Sequence, residues 1–412
     1  MDFAGLAVMR RIDLTNFQVA TSGTARDINR RIVLNLIRSQ QPISRADLAR
    51  LSGLQRSTVS HITEQLIEER WVTEGANGRT LRGRRPQFLH LNKKRVGIIG
   101  VNIRPAITAI ALADLDGNFV AQESLPTDED PEVFVTKVAP ILRSLSKIRP
   151  ELCCEGIGVS LPGRVDLASH RLIFAPNLGW KDVDLKTPLE EATDLPVELE
   201  NAANACALSE IWFGEHAEGV CNLIAVTVSE GIGTGLILNH QLIRGSTGTA
   251  GEFGHITIIE NGLECRCGNR GCLEMYASNQ AAVRYYVSSA SALRNGKGSS
   301  KSMAQMPTFN DILRLAEQRD AKAVDAITRM GHYLGIGIAQ LISGLAPEVI
   351  VVVGEVTRLW DQINPVITQV VKSRCSTHAK TRIMPKNPSV EPRLLGTIAL
   401  VLQKHFGAPS VA

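Results

Sequence analysis

Two stretches decide the fold: residues 251–255 read GEFGH and residues 265–274 read CRCGNRGCLE. Cys265 follows His255 by ten residues, Cys267 follows Cys265 by two, and Cys272 follows Cys267 by five. Glycines among these residues let the backbone wrap a small ion. Three thiolates and one imidazole suit a tetrahedral Zn²⁺ with no open coordination position. The spacing therefore predicts a structural zinc site at His255, Cys265, Cys267 and Cys272.

The sequence around these stretches predicts α/β structure with a weak internal repeat. The first copy has three strands, a helix and a buried strand, at Val96–Asn102, Ala106–Asp114, Phe119–Leu125, 131–147 and Gly156–Ser160. The pattern begins again at Leu223–Val228 and passes through a glycine loop, Gly231–Gly235, to Leu236–Asn239. Such a repeat predicts two similar α/β lobes, with a cleft between them that suits a small ligand.

The charge of the chain is uneven. Residues 1–95 hold 17 Lys and Arg against 8 Asp and Glu, a net of +9. The remaining residues hold 28 and 33, a net of −5. A basic N-terminal module on a mildly acidic body predicts an anionic partner, such as nucleic acid, for the first module alone.

That basic module has the pattern of a helix-turn-helix. A helix is predicted at 25–38, and a second opens at Ser44 with Asp47 three residues on, as in a capping box. Leu48 and Leu51 are predicted to face inward, and Gly53 supplies the turn. A third helix is predicted at about 55–68. Its outer face carries small polar and basic groups that can reach base edges in a major groove, namely Gln55, Arg56, Ser57, Ser60 and His61.

Two short strands at 71–73 and 87–91 predict a wing after the third helix. The segment Arg82–Pro86 between them, which includes Arg84 and Arg85, resembles an AT-hook, whose arginines lie in a narrow minor groove. We therefore expect Arg82, Arg84 and Arg85 to contact double-stranded DNA. Half-site recognition by one such module predicts a homodimer, or a tetramer, on a pseudo-palindromic operator.

Residues 251–255 (GEFGH) and 265–274 (CRCGNRGCLE), together with residues 175–180 (APNLGW) and 200–204 (ENAAN), resemble the ROK family. This family contains bacterial sugar kinases and sugar-responsive repressors, and the winged helix makes the resemblance strongest to its Mlc/NagC-type repressors. The resemblance implies a two-lobed, actin-like (ribonuclease-H-like) α/β body with a sugar between the lobes. It also implies the same four zinc ligands. The residues that it places on the sugar hydroxyls are Asn201, Glu252, His255 and Glu274.

Three departures from the family pattern argue against a working kinase. Residues 102–106 (NIRPA) stand where the family has the Asp-x-Gly-Gly-Thr phosphate loop, and Pro105 lacks a backbone N–H. Ala202 stands where the family has its general base, an aspartate, and an alanine cannot accept a proton. The later double-glycine nucleotide motif is altered to residues 353–356 (VGEV). We therefore expect no enzyme activity and no catalytic residues.

The sequence thus predicts a sugar-responsive DNA-binding regulator, a repressor of genes for carbohydrate uptake or catabolism. The alternatives are a ROK-type sugar kinase with a DNA-binding domain and a repressor controlled by a protein partner. The effector is a neutral sugar or a sugar phosphate, the latter held by the amides of Gly231–Gly235.

The predicted organisation is an arm at 1–23, a winged helix-turn-helix at 24–95, a first lobe at 96–205 joined by a C-terminal helix at 392–412, and a second lobe at 206–391. No uninterrupted apolar window is long enough to cross a membrane. The apolar stretch at the N-terminus is short and precedes the basic residues, the reverse of a secretory signal. We expect a cytoplasmic protein without membrane insertion.

Overall fold

The computed structural model describes residues 22–77, 87–93, 96–166, 169–214, 219–292, 306–375, 380–387 and 390–407. Arg82, Arg84 and Arg85 of the predicted wing lie outside the described residues, as does nearly all of the predicted arm. Contacts between Cα atoms divide the chain into two compact units. The N-terminal unit runs to Val96 and includes Glu151–Cys153 and the chain from Leu402, and the α/β unit contains Gly97–Pro150 and Cys154–Val401.

The N-terminal unit is a three-helix module with a small antiparallel sheet of order β1-β3-β2. Its elements are α1 (Ser22–Gln40), β1 (Ile43–Ser44), α2 (Arg45–Ser52), α3 (Arg56–Glu68), β2 (Val72–Asn77) and β3 (Gln87–Leu91). Ser44 caps α2 by accepting a hydrogen bond from the Asp47 N–H at 3.2 Å. Gly53 ends α2 with φ at 71°, a left-handed conformation that favours glycine. The predicted helix-turn-helix is confirmed.

The packing of this module corrects one detail of the sequence analysis. Leu48 is fully buried as predicted, but the side chain of Leu51 is 54% exposed. Leu51 lies in the last turn of α2, which ends at Ser52. On α3, Val59, Ile62 and Leu66 are all buried, as their helical spacing predicts.

The first half of the α/β unit forms a five-stranded sheet of order β11-β7-β4-β5-β6 and a small sheet of order β10-β9-β8. Its elements are β4 (Val96–Ile103), β5 (Ile107–Ala113), β6 (Phe119–Pro126), α4 (Pro131–Lys147), β7 (Cys153–Leu161), β8 (Arg164–Val165), β9 (Leu172–Ala175), β10 (Trp180–Val183), α5 (Lys186–Thr193), β11 (Val197–Asn201) and α6 (Ala202–Phe213). Trp180 of the APNLGW stretch is buried against Phe134 of α4, so part of that stretch serves the core.

The second half forms another five-stranded sheet, of order β14-β13-β12-β15-β16. Its elements are β12 (Leu223–Val228), β13 (Ile232–Leu238), β14 (Gln241–Leu242), α7 (Glu274–Ala277), α8 (Asn279–Ala292), α9 (Phe309–Glu317), α10 (Ala321–Leu345), β15 (Val349–Val353), α11 (Trp360–Arg374), β16 (Arg382–Pro385) and α12 (Pro392–Phe406). In both sheets, three consecutive strands pair antiparallel and two later strands are added beside the first. The predicted internal repeat is therefore present, while the predicted lobe boundaries stay a prediction.

No helix among the described residues has the length and the apolar character that a membrane crossing needs.

The last turn of α12 packs inside the N-terminal unit, a contact that the sequence analysis did not predict. The Arg31 guanidinium donates to the Gly407 carbonyl and the Asn35 amide donates to the Phe406 carbonyl, both at 2.7 Å. These donors from α1 satisfy carbonyls that the end of a helix leaves unpaired. The ring of His405 lies 4.4 Å from that of Trp71, centroid to centroid. Burial, aided by nearby Arg30, Lys404 and Arg31, lowers the pKa of His405 from 6.5 to about 4.

This lowered pKa predicts an acid-labile N-terminal unit. Between pH 6.5 and 4 the unfolded chain binds a proton at His405 that the folded chain does not, so the free energy of unfolding falls as the pH falls. We expect this single group to remove up to about 3 kcal/mol over that range. His405→Phe keeps an aromatic ring against Trp71 but cannot bind the proton. Urea unfolding at pH 7 and at pH 4.5 should therefore show a smaller fall in the free energy of unfolding for this variant than for the parent. An identical pH dependence in parent and variant would contradict the assignment.

Candidate functional site

The loop from Gly251 to Cys272 brings the four predicted zinc ligands together. Their ligand atoms all lie within 4.8 Å of one another. The Cys265 thiol sulfur is 3.6 Å from His255 Nδ1, and the sulfurs of Cys267 and Cys272 are 3.7 Å apart. Zinc–sulfur bonds of about 2.3 Å in a tetrahedron place two sulfurs about 3.8 Å apart, so the spacing has the right size for Zn²⁺.

Backbone geometry explains why the loop closes in this way. His255 lies in a short 3-10 helix, Phe253–His255, and an isolated bridge joins Thr257 to Cys272. Gly271 has φ at 73°, and a Cβ atom there would overlap the Ile259 carbonyl oxygen. No other residue type fits such a position. Burial raises the pKa of the Cys265 and Cys272 thiols, so a cation beside them would be needed to favour the thiolates.

His255 faces both the cluster and a pair of carboxylates. Its Nδ1 atom lies on the side of Cys265, while its Nε2 atom is 3.7 Å from Glu252 Oε2. Glu274, the first residue of α7, places Oε1 3.7 Å from His255 Nδ1 and 3.1 Å from the Cys265 sulfur. A metal bound on the Nδ1 side would therefore hold the imidazole and leave Nε2 for a ligand.

A cavity of about 550 Å³ lies beside this cluster, inside the α/β unit. Its wall includes all four residues that the sequence analysis assigned to a sugar, namely Asn201, Glu252, His255 and Glu274. The volume is within the range that small-molecule sites usually have. Several arginines also line the cavity and were not singled out by the sequence analysis, because nothing in their spacing distinguishes them from surface charges. They are Arg104, Arg164, Arg266, Arg284 and Arg393.

Asn201 has a structural task besides lining the cavity. Its Oδ1 caps α6 by accepting from the Ala203 N–H at 2.8 Å, and its Nδ2 donates to the Gly163 carbonyl at 2.6 Å. A carboxamide has two donor hydrogens and two acceptor lone pairs, so one of each is left for a ligand. The Asn201 side chain is thereby held in one orientation at the cavity wall.

The glycine run at 231–235 is different from the predicted loop. Only the turn up to Gly231 is irregular, because β13 begins at Ile232 and pairs with β12. A Cβ atom at Gly235 would overlap the Ala203 carbonyl oxygen, and one at Gly233 would contact the Ala203 side chain. These glycines let α6 approach β13 closely. Gly233 and Gly235 therefore have a packing reason. Gly231, Ile232 and Gly233 also line the cavity, and the binding of a phosphate by this run stays a prediction.

Two of the three departures from the family pattern line the cavity, at Arg104–Pro105 and at Ala202. Ala202 contributes only a methyl group to the wall. Arg104 follows β4 at the altered phosphate loop, and its guanidinium is 3.5 Å from a carboxylate oxygen of Glu355 in the altered nucleotide motif. This ion pair thus links residues 102–106 with residues 353–356, the two other segments that depart from the family pattern.

The N-terminal unit presents the predicted DNA-contacting face of α3. Gln55, Arg56, Ser57 and His61 are exposed, and Ser60 is half-buried. Arg56 is the first residue of the helix, the end whose side chains contact base edges in helix-turn-helix proteins. Among the described residues, the nearby Arg45 is instead tied to Thr63 and Glu74 within the unit.

Comparison with known proteins agrees with both units. Residues 98–404 match the ROK family, and residues 32–75 match the IclR helix-turn-helix domain. The chain is 31% identical over 397 residues to the xylose repressor of Bacillus subtilis (strain 168), covering 94% of this chain and 98% of that repressor.

Solved structures give the same result. A ROK family transcriptional regulator, a homologue of the Escherichia coli MLC protein, matches with a TM-score of 0.81 and 27% identity, covering 93% of this chain and 98% of that one. A ROK family glucokinase from Streptomyces griseus, solved with glucose and AMPPNP, matches with a TM-score of 0.64 and 30% identity over 73% of this chain and 97% of the kinase. The match to the regulator thus extends over the N-terminal unit as well. This chain, with its helix-turn-helix and its α/β body, belongs to the ROK family.

Proposed function

We propose that this protein is a transcriptional repressor that binds operator DNA through α3 and releases it when a sugar enters the cavity of the α/β unit. The observation that carries the proposal is the convergence of Asn201, Glu252, His255 and Glu274 on one cavity whose wall has Ala202 at the position of a base. Carboxylates and an imidazole bind adjacent hydroxyls in pairs, and such a site rejects ligands that lack one of them. The cavity thus binds a sugar without the means to activate it.

The similarity to a xylose repressor makes D-xylose the first effector to test. A sugar 6-phosphate is the second, because the cavity wall carries arginines. We propose that the effector binds one arrangement of the protein better than the other, and so shifts a two-state equilibrium between DNA-binding and released forms. Two copies of the N-terminal unit in a homodimer would then read a pseudo-palindromic operator.

The cavity assignment predicts the behaviour of Glu252→Ala. This variant should lose the release of DNA by sugar while its sugar-free operator binding stays within about twofold of the parent, since Glu252 lies outside the N-terminal unit. Glu260→Ala, an exposed carboxylate on the same loop, is the matched control and should respond normally. Fluorescence anisotropy of a labelled operator, titrated with D-xylose, D-glucose, N-acetyl-D-glucosamine and their phosphates, measures both quantities.

A kinase assay supplies the result that would overturn this reading. General-base catalysis contributes about 10²–10⁴-fold, and Ala202 cannot provide it. If the parent protein consumed ATP with any sugar of the panel, and Glu252→Ala did not, the protein would be an enzyme. Failure of every sugar to release DNA would point instead to control by a protein partner.

We propose that His255, Cys265, Cys267 and Cys272 bind one structural Zn²⁺ per chain. Cys267→Ser should lower the zinc content measured by atomic emission and lower the melting temperature of the α/β unit, because metal binding and local folding are coupled. It should weaken the response to sugar more than operator binding. Cys153→Ser, an exposed thiol outside the cluster, is the control and should keep its zinc. Parent protein prepared without chelators and free of zinc would refute the site.

The DNA-contacting face predicts unequal effects of two exposed arginines. Arg56→Ala should weaken binding to a duplex selected from a random library by about 1–3 kcal/mol, the value of one good base contact. Ser57→Ala or His61→Ala should change the preference among the selected sequences. Arg50→Ala, on the neighbouring helix α2 and paired with Asp47, is the control. A larger loss in Arg50→Ala than in Arg56→Ala would mean that another face meets the DNA.

A further inference from the structure

An ion pair between a buried glutamate and a half-buried arginine connects the two halves of the α/β unit next to the cavity. Glu200 is the penultimate residue of β11 in the first sheet and is only 4% exposed. Its Oε2 accepts a hydrogen bond from Arg244 Nε at 2.7 Å. Arg244 follows β14 of the second sheet by two residues. Among the described residues, neither side chain is part of the cavity wall.

The other oxygen of the Glu200 carboxylate fixes the segment that carries Asn201, which we call the Asn201 arm of the cavity. Glu200 Oε1 accepts from the Asn201 backbone N–H and from the Asn204 carboxamide, both at 2.9 Å. Asn204 lies in the first turn of α6 and is itself buried. With Arg244, the carboxylate has three donors, which offset the loss of water around a buried charge. Glu200 therefore holds the segment in which Asn201 reaches the cavity.

Arg244 fixes the segment that carries Glu252 and His255, which we call the Glu252–His255 arm of the cavity. Its carbonyl accepts from the Ala250 N–H at 3.0 Å, so residues 244–250 form a closed turn rooted at Arg244. At the next residue, the Gly251 carbonyl accepts a hydrogen bond from the Thr234 hydroxyl. Glu252 and the 3-10 helix with His255 follow directly along the chain. The position of Glu252 and His255 thus depends on where the Arg244 side chain anchors this turn.

We infer that Glu200 and Arg244 are positioning residues that set the separation between the Asn201 arm and the Glu252–His255 arm, and thereby the affinity for the effector. Neither residue contacts the effector. The inference rests on the proposed sugar site for its affinity readout alone. The carboxylate of Glu200 is also unavailable as a substitute for the missing base, because Arg244 and two further donors occupy it.

The test compares two isosteric substitutions at buried ion pairs of the α/β unit. Glu200→Gln keeps an oxygen for Asn201 and Asn204 but presents an amide N–H₂ to Arg244, so it breaks only the link between the two arms. Glu210→Gln is the control, because Glu210 forms a similar ion pair with Lys386. The Lys386 Nζ atom lies 2.7 Å from Glu210 Oε1, and the Glu210 side chain is as buried as that of Glu200. Glu210 lies on the same helix α6, about 13 Å along its axis from Asn201, and is not part of the cavity wall.

Two readouts on the full-length protein separate positioning from general stability. In hydrogen–deuterium exchange without ligand, Glu200→Gln should speed exchange of the amides of residues 245–255, whereas Glu210→Gln should not. In calorimetric titration with D-xylose and D-glucose, Glu200→Gln should weaken binding about 10–100-fold, by analogy with the loss of metal affinity when the partners of metal-ligating residues are removed, and Glu210→Gln less than about twofold. Arg244→Lys, which keeps the charge, should bind more tightly than Arg244→Ala.

Unchanged exchange at 245–255 in Glu200→Gln would overturn the inference, and so would equal losses of affinity in Glu200→Gln and Glu210→Gln. If the parent binds none of the sugars, the proposed function fails, but the exchange experiment still decides whether Glu200 and Arg244 position the turn. Should Glu200→Gln fail to fold, the same two readouts on Arg244→Lys against Lys386→Arg decide the question.

Discussion

The convergence of one imidazole and three thiols is the constraint on which the functional site depends. Between Gly251 and Glu274 the chain has one short 3-10 helix and two isolated bridges as its regular structure. A segment so poor in backbone pairing cannot hold side chains in place by itself, because each unfixed residue retains conformational entropy. The meeting of His255, Cys265, Cys267 and Cys272 closes it. Glu252 and Glu274 stand at the two ends of the closed segment, and both reach the same cavity.

Close backbone approaches make up the rest of the site. Gly233 and Gly235 let the start of α6 lie against β13, which places Asn201 and Ala202 at the cavity wall. The Glu200–Arg244 pair then ties that wall to the turn before Glu252. Each of these contacts joins residues from different halves of the α/β unit. The cavity is thus assembled from two sheets of the same topology, neither of which contains a complete site.

The cavity carries the side chains that we propose for sugar binding and has an alanine where the family pattern predicts a base. Glu252, His255 and Glu274 line it together with the methyl group of Ala202. The Arg104–Glu355 ion pair links the altered phosphate loop to the altered nucleotide motif. In a protein that carries a helix-turn-helix, such a cavity is suited to detect a sugar, since binding energy that is not used for catalysis can shift a conformational equilibrium.

Residues close together in the chain were sufficient to predict the helix-turn-helix and the His–Cys₃ cluster. The internal α/β repeat required a comparison of two distant segments, and the absence of a base at position 202 was implied by the resemblance to the ROK family. Local sequence patterns did not predict features that depend on residues from other parts of the chain. Leu51 has an apolar side chain at helical spacing, yet it is 54% exposed. Gly233 and Gly235 also have a packing reason that the local sequence did not reveal, since a Cβ atom at either position would meet Ala203.

Contacts between residues far apart in the chain could not be predicted from the sequence and became visible only in the folded protein. Glu200 and Arg244 are 44 residues apart, and Asn35 and the Phe406 carbonyl that it caps are 371 apart. No periodicity links such positions, because hydrophobic and capping patterns report on one helix or strand at a time. Long-range polar contacts depend on how the completed elements pack, and a buried charge is stable only where that packing supplies its partners. The candidate metal-binding and sugar-binding residues could therefore be named from the sequence, but their positions relative to one another could not.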